Sequence, residues 1–424
     1  MIAWWIWLGR RIAGEGAIGV RLLPILGCAL TSIVTVDLAR LAGAGERTAY
    51  RSGLWLNATL LIGLGGLLAV PDAPNTLFWV VTVWCAFRAR SGRPTWWLAC
   101  GAAAGLACLS KYSALFLGPG LLLWLAMSAE GRRQLRTPWP WLAAGVAATI
   151  FLPNVLWNAT HHWPTFAKQF GRVRGAGFAP QHLPELLVDQ FLLLNPSIAV
   201  FAGIALARRP MPPLIAIAAP FALYLLVHSL HDQVQGQWPA PLYPLLVICA
   251  AQAAETAGGG GWLGRIQRFA TPFGLTASAL ALAFICAPLG ARLPFRDPSA
   301  PLRGWPGFFA TVERTRRQVG ASWVGTASYG LAAQLAAQPR ADAPVSEIRE
   351  RQRYTFEVAA GRADFRRPGL VIDQPGRLSA VALRRCFNSV APVPALDRGD
   401  GAAATSYVAF RVSGPRRDVN LLGC

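Results

Sequence analysis

Charged residues are scarce in this sequence. They make up 14% of its 424 residues, whereas a soluble globular domain carries about 25%. Apolar residues make up 54% of the chain, and the mean hydropathy is +0.38. This balance excludes a disordered or collagen-like chain and argues against an ordinary cytosolic enzyme. It predicts a polytopic membrane protein with one soluble part.

Lysine is almost absent, since Lys111 and Lys168 are the only lysines among 40 basic residues. The net charge of +20 therefore comes from arginine. The sequence has no basic stripe with interleaved aromatic residues, and most arginines of the first two thirds stand at the ends of apolar runs. That distribution is typical of the positive-inside rule rather than of nucleic-acid binding, so we predict no nucleic-acid partner.

Paired cysteines and the common catalytic motifs are also missing. None of the eight cysteines forms a CxxC pair, which argues against a zinc site or a disulfide framework. A bridge between Cys386 and Cys424 stays open. The absence of Walker A, HExxH and GxSxG motifs argues against an ATP-driven pump, a zincin and a serine hydrolase.

Long apolar runs fill the first two thirds of the chain. A membrane-spanning helix needs about 20 mostly apolar residues, and windows near that length predict about ten spans. Arginine-rich loops follow every second span, which places those loops in the cytoplasm and the intervening loops outside. The predicted spans are 18–39, 53–70, 74–88, 96–110, 113–128, 139–157, 187–206, 212–229, 238–254 and 269–289.

The composition changes near residue 292. Residues 295–424 hold 11 of the 20 acidic residues and no long apolar run. Short β-like runs at 321–326, 369–373 and 405–412 alternate with helical segments. We therefore predict a multi-span domain over 1–292 and a small α/β domain over 293–424, which ten spans would place in the periplasm.

Two outward segments between spans carry ionisable residues that could do chemistry. Asp72 stands between prolines in VPDAP (70–74), where a carboxylate could bind a cation or a sugar hydroxyl, although aspartate is also common in turns. Lys111 and Tyr112 stand between two apolar runs. An outward ammonium there could bind a phosphate, or Lys111 could only snorkel toward the headgroups.

The longest loop between spans, 158–186, adds further candidates. His162 and Trp163 suit sugar recognition, and Arg172 and Arg174 suit a lipid phosphate. His161 and His162 are adjacent, so they lack the i, i+4 spacing of a helical metal pair. We therefore expect substrate binding rather than zinc binding from this loop.

A polar segment also precedes the ninth predicted span. It contains Asp232, Gln237, Trp238 and Tyr243 within HDQVQGQWPAPLYP (231–244). These residues could bind substrate, and Trp238 and Tyr243 could also be interface anchors. Both interpretations can hold together.

Six segments, taken in order along most of the chain, resemble bacterial family 39 glycosyltransferases. Those proteins are similar to the protein O-mannosyltransferases and to the aminoarabinose transferases of lipid A. Each motif is weak alone, whereas the ordered set is fairly specific. The segments are VRLLPIL (20–26), VPDAP (70–74), LSKYSAL (109–115), FLPNVLWN (151–158), QWPAPLYP (237–244) and SYGLAAQ (328–334).

The resemblance implies a GT-C fold in the bacterial inner membrane. It implies transfer of a sugar from a polyprenyl-phosphate donor to a glycan, lipid or protein acceptor on the periplasmic face. Asp72 matches the second acidic residue of the family and is our catalytic candidate. Lys111, Arg172 and Arg174, or a divalent ion, would stabilise the charge on the leaving phosphate.

In the family, the first catalytic acid lies just upstream of a segment that residues 1–9 of this chain continue. We therefore expect a truncated N-terminus. Two alternatives to an active transferase stay open at this stage. One is a catalytically degenerate relative, and the other is a polytopic transporter or flippase, although the sequence shows no convincing internal repeat.

Overall fold

The computed structural model describes residues 1–167, 177–208, 211–286, 304–337, 343–349, 364–399 and 404–416. The chain divides into two compact units, Met1–Leu282 and Ala283–Cys424. The boundary that the sequence predicts at residue 292 lies outside the described residues.

The first unit is helical. Two short 3₁₀ helices, Tyr112–Phe116 and Ala240–Leu242, precede the α-helices that begin at Leu117 and Tyr243. The helices are α1 (Ile2–Ala13), α2 (Ala17–Leu41), α3 (Glu46–Asn57), α4 (Leu60–Gly65), α5 (Asp72–Ser91), α6 (Trp96–Ser110), α7 (Leu117–Ala126), α8 (Ala129–Leu135), α9 (Trp139–Thr160), α10 (His182–Leu193), α11 (Pro196–Arg208), α12 (Pro212–His228), α13 (Tyr243–Ala257) and α14 (Gly261–Cys286).

Three helices in the described residues, α2, α9 and α14, are long and apolar enough to cross a membrane alone. A fourth span results if the bent pair α10 and α11 is one span. Shorter apolar helices cover 96–110, 112–126 and 212–228. The prediction of about ten spans stays a prediction.

Two of the predicted spans are not continuous helices. The segment 53–70 breaks between α3 and α4, because the Thr59 hydroxyl accepts from the amide of Ile62 at 3.3 Å and caps a new helix. The segment 187–206 bends by 116° between α10 and α11. Asn195 adopts a positive φ of 76° there, and Pro196 cannot donate the next helical hydrogen bond.

Asn195 also joins the bend to two other helices. Its side chain is fully buried. The amide nitrogen donates to the carbonyl of Ala58, which follows α3, at 3.2 Å, and to that of Ala270 in α14 at 2.8 Å. The amide oxygen accepts from the backbone of Ser197 at 3.0 Å. One side chain therefore bonds to the backbone of the bend and to the backbone of two neighbouring segments.

We expect Asn195→Ala to lower the free energy of unfolding by about 3 kcal/mol, because it removes the three hydrogen bonds of a buried side chain and leaves alanine at a positive φ angle. Thermal unfolding in detergent measures this loss. Asn195→Gly removes the same amide but tolerates the φ angle, so it should lose less. An Asn195→Ala midpoint equal to that of the wild type would contradict the assigned role.

Small residues allow the helices to approach closely. A Cβ at Gly101 of α6 would clash with the carbonyl of Ala143 in α9, and one at Gly120 of α7 would clash with that of Ile217 in α12. Close approach through small residues is typical of helix packing in membranes.

Ion pairs join the arginine-bearing ends of several helices. Arg88 near the end of α5 contacts Asp37 near the end of α2 at 2.6 Å. Arg51 contacts Glu255 near the end of α13 at 2.7 Å, and Arg90 contacts Glu130 of α8 at 3.2 Å. The loops after the first, third, fifth and ninth predicted spans therefore share one end of this unit. Their cytoplasmic placement stays a prediction.

The second unit is a small α/β domain with a sheet, as the composition predicts. Its described elements are α15 (Trp305–Gln318), β1 (Trp323–Thr326), α16 (Tyr329–Ala336), β2 (Val345–Glu347), β3 (Gly369–Asp373), α17 (Ala380–Arg384), β4 (Phe387–Arg398) and β5 (Thr405–Pro415).

The described strands form one sheet in the order β2-β1-β3-β5-β4. Strand β1 is parallel to β2 and β3, and β5 is antiparallel to β3 and β4. Each face carries an apolar cluster, one around Phe308, Leu370 and Ile372 and the other around Trp323 and Phe387. The sheet is therefore covered on both faces, as parallel strands require.

Candidate functional site

An ion pair between Asp72 and Lys111 forms the centre of the site. The Lys111 ammonium donates to Asp72 Oδ1 at 2.7 Å, and Asp72 is only 8% exposed. Asp72 begins α5 and Lys111 follows α6, so the start of one helix meets the end of its neighbour. The sequence suggested a turn at Asp72. The structure instead begins a helix there, and its N-terminus favours a carboxylate.

The site lies at the opposite end of α5 from the arginine-bearing loops. Helix α5 has 20 residues, which corresponds to about 30 Å at 1.5 Å per residue. Asp72 is in its first turn, and Arg88 is in its last. This separation agrees with the alternation of loops that the arginine distribution predicts.

Trp238 contacts the ion pair from a third part of the chain. The Lys111 ammonium lies 5.6 Å from the centroid of the Trp238 ring, within the range of a cation–π interaction. The Gln235 side-chain oxygen accepts from the Gln237 amide at 2.8 Å and from the Trp238 indole at 3.2 Å. Hydrogen bonds therefore join the side chains of Gln235, Gln237 and Trp238 into one group.

A cavity of about 450 Å³ adjoins this group. Residues of α2, α4, the first turns of α5 and the segment around 236–240 line it, and most of those residues are apolar. Asp72 and Gln237 both line this cavity. It therefore combines an apolar wall with one charged and one amide side chain.

Tyr112 packs beside Lys111 in a second, aromatic part of the site. Its hydroxyl donates to Asn154 Oδ1 at 2.6 Å, and its ring lies 5.6 Å from that of Phe151 and 5.3 Å from that of Phe166. The fully buried Asn158 accepts from the backbone of Thr165 at 3.1 Å. Sequence reasoning missed Asn154, although it lies in the FLPNVLWN motif.

His162 and Trp163 occupy a turn that follows α9. Both have positive φ angles, 61° and 57°, which few non-glycine residues adopt. Both side chains are exposed, and the Trp163 ring meets the edge of Phe166 at 5.4 Å. Phe166 contacts Tyr112 as well, so the structure connects the predicted His162–Trp163 site to the predicted Lys111–Tyr112 site.

The remaining candidates divide into buried, exposed and undescribed residues. Tyr243 is 1% exposed, so its prediction as an interface anchor is wrong; its hydroxyl donates to Gln190 at 2.9 Å. Asp232 is exposed and accepts from the backbone of Gln233 at 2.8 Å. Arg172 and Arg174 lie outside the described residues.

The described residues do not fit a divalent cation at this site. Within those ranges, no group of three or more His, Cys, Asp or Glu side chains could hold a metal ion. The Asp72 carboxylate faces an ammonium instead, and a cation next to it would be repelled by Lys111.

Comparisons with known proteins identify relatives of the helical unit. Residues 1–157 match the family described as dolichyl-phosphate-mannose-protein mannosyltransferase. The chain is 29% identical over 266 residues to the undecaprenyl phosphate-alpha-4-amino-4-deoxy-L-arabinose arabinosyl transferase of Pseudomonas paraeruginosa. The aligned region covers 58% of this chain and 47% of that protein. The match thus spans about half of the relative's length.

A second relative transfers a different sugar, according to its name. The chain is 30% identical over 169 residues to the lipid A galacturonosyltransferase RgtD of Rhizobium johnstonii, across 38% of this chain and 34% of that protein. Both matches involve proteins that are named as sugar transferases.

The fold has a solved counterpart. The crystal structure of ArnT from Cupriavidus metallidurans bound to undecaprenyl phosphate superimposes with a TM-score of 0.63 at 17% identity, over 96% of this chain and 87% of that one. The apo form of the same protein gives a TM-score of 0.61. The chain therefore has a polytopic helical membrane fold with a C-terminal sheet domain, and the comparisons confirm the resemblance to GT-C family glycosyltransferases that the sequence motifs predict.

Proposed function

We propose that this protein transfers a sugar from a polyprenyl-phosphate donor to a lipid acceptor on the periplasmic face of the bacterial inner membrane. The observation that carries the proposal is the Asp72–Lys111 pair beside an apolar cavity of about 450 Å³. A lipid-linked sugar phosphate needs an apolar wall for its chain, a cation for its phosphate and a base for the acceptor hydroxyl. These three features meet at Asp72.

The ion pair suggests how donor binding prepares the base. The Lys111 ammonium lies 2.7 Å from Asp72 and neutralises it. A donor phosphate carries negative charge and competes for the same ammonium as a point charge. As Lys111 turns toward the phosphate, Asp72 loses its partner in a buried place and gains affinity for a proton.

The reaction itself is a displacement at the anomeric carbon. The acceptor oxygen attacks, Asp72 takes its proton, and the bond to the lipid phosphate breaks. Lys111 stabilises the charge that builds on the departing phosphate. The Trp238 ring, which lies against Lys111, would contact the sugar.

Reconstitution tests this proposal directly. The purified chain in proteoliposomes receives undecaprenyl-phosphate-linked 4-amino-4-deoxyarabinose, or the galacturonic acid equivalent, together with lipid A. We expect a labelled lipid A product from one of the two donors. Absence of product from both donors with correctly folded protein would contradict the proposal.

One structural feature favours the transporter alternative, and the same vesicles can test it. Broken helices are typical of transporters, and α10 and α11 form a pair bent by 116°. A transporter would move the labelled donor lipid between leaflets without making a product. Product formation in detergent, where there are no leaflets, separates the two functions.

A further inference from the structure

The loop before α13 carries two groups of the site. Trp238 lies over the Lys111 ammonium at 5.6 Å, and Gln237 lines the cavity together with Asp72. The bonds from Gln237 and Trp238 to Gln235 join loop residues to one another. A bond from a helix to this loop would therefore fix the position of the whole group.

Gln190 in α10 makes such a bond. Its amide nitrogen donates to the backbone carbonyl of Gly236 at 3.0 Å. Gly236 lies between Gln235 and Gln237, in the middle of the bonded group. We propose that Gln190 is a positioning residue that holds Trp238 and Gln237 against Lys111 and the cavity, an inference whose catalytic part rests on the proposed function.

The orientation of the Gln190 amide follows from its partners. The Gly236 carbonyl can only accept a hydrogen bond, so the nitrogen of Gln190 must face it. The oxygen then faces Tyr243, whose hydroxyl donates to it at 2.9 Å. Tyr243 is 1% exposed and packs in the core of the helical unit. A buried residue of α13 therefore orients Gln190, and Gln190 fixes the loop.

The backbone of the loop also lies close to α10. A Cβ at Gly236 would come within 2.8 Å of Leu193 Cδ1, one turn after Gln190. At this distance the Leu193 side chain would have to shift to admit a larger residue. Because the loop backbone lies this close to α10, the Gln190 side chain can reach the Gly236 carbonyl.

The two lysines of the chain allow a test that does not need catalysis. An amine-reactive acetylating reagent labels Lys111 and Lys168, and peptide mass spectrometry gives the ratio of the two products. Trp238 covers one side of Lys111 in the wild type. Gln190→Glu keeps an acceptor for Tyr243 but places carboxylate oxygens against the Gly236 carbonyl, so the loop should move and Lys111 should label faster.

We expect Gln190→Glu to raise the Lys111-to-Lys168 labelling ratio severalfold, with a thermal midpoint close to that of the wild type. Tyr243→Phe removes only the bond that orients Gln190 and should raise the ratio less. Transfer activity should fall about tenfold or more in Gln190→Glu, because small misplacements of a binding group have large effects on rate. Most of this change should appear in the KM of the donor.

The outcomes separate this inference from the proposed function. An unchanged labelling ratio in a folded Gln190→Glu protein would overturn the positioning role. Parallel increases at both lysines with a lower thermal midpoint would also overturn it, since they indicate a general loss of structure. A changed ratio in a protein whose wild type transfers no sugar would support the positioning role and reject the proposed function.

Discussion

We expect Asp72→Asn to lose most of its sugar transfer while the protein stays folded and inserted in the membrane. The amide has nearly the same shape as the carboxylate and can still accept a hydrogen bond from Lys111, so the contact between α5 and α6 remains. It cannot take a proton from the acceptor. General-base catalysis contributes about 10²- to 10⁴-fold to rate, and we expect a loss of that size in kcat with reconstituted protein.

A second interhelical ion pair supplies the control for this variant. Asp37 of α2 contacts Arg88 at 2.6 Å, and Arg88 lies at the end of α5 opposite to Asp72. Asp37→Asn therefore also removes one carboxylate that joins two helices, but it leaves the cavity and Lys111 untouched. Wild-type transfer by Asp72→Asn would reject the catalytic assignment, and equal losses in both variants would show that ion pairing, not proton transfer, is what the activity needs.

The pairing of Asp72 with Lys111 could have been predicted from the sequence. Both residues are predicted candidates, and the helices that carry them are joined by only a few residues, 92–95. Helices with such short connections pack antiparallel, which brings the start of the first to the end of the second. The contact of Trp238 could not be predicted, because its distance from Lys111 depends on packing between segments far apart in the chain.

The break at Asn195 shows a limit of hydropathy windows. A window of about 20 residues averages over a single polar residue, so 187–206 was predicted as one continuous span. The Asn-Pro pair at 195–196 is itself a turn signal and could have divided the run. Gln190 was missed for a similar reason, since one amide within an apolar run has no pattern of its own.

The soluble unit shows which strands sequence patterns miss. The predicted runs at 321–326, 369–373 and 405–412 include β1, β3 and the start of β5. Strand β2 has only three residues, too few for a period to be visible. Strand β4 contains Pro392 and Pro394, which argue against a strand in a sequence. It pairs only with β5 among the described strands, and such an edge position tolerates proline.

Lys111→Ala weakens use of the donor far more than Lys168→Ala does. A hydrogen bond to a charged group contributes about 1.5–3 kcal/mol, and each 1.4 kcal/mol corresponds to a factor of about ten. We therefore expect the KM of the donor to rise by about ten- to a hundredfold in Lys111→Ala. Equal effects of the two substitutions would remove the special role of Lys111.

Stability has to be separated from donor binding in this experiment. Lys111→Ala leaves the buried Asp72 without its ammonium, and breaking a buried pair in this way costs about 3–5 kcal/mol. The double variant Asp72→Asn with Lys111→Gln replaces both charges by amides of similar shape, so it should fold well and stay inactive. A charge exchange, Asp72→Lys with Lys111→Asp, keeps the pair but reverses it. If the pair served only to hold α5 against α6, the exchanged protein would transfer sugar. If Asp72 and Lys111 have the separate roles proposed here, it will fold and transfer none.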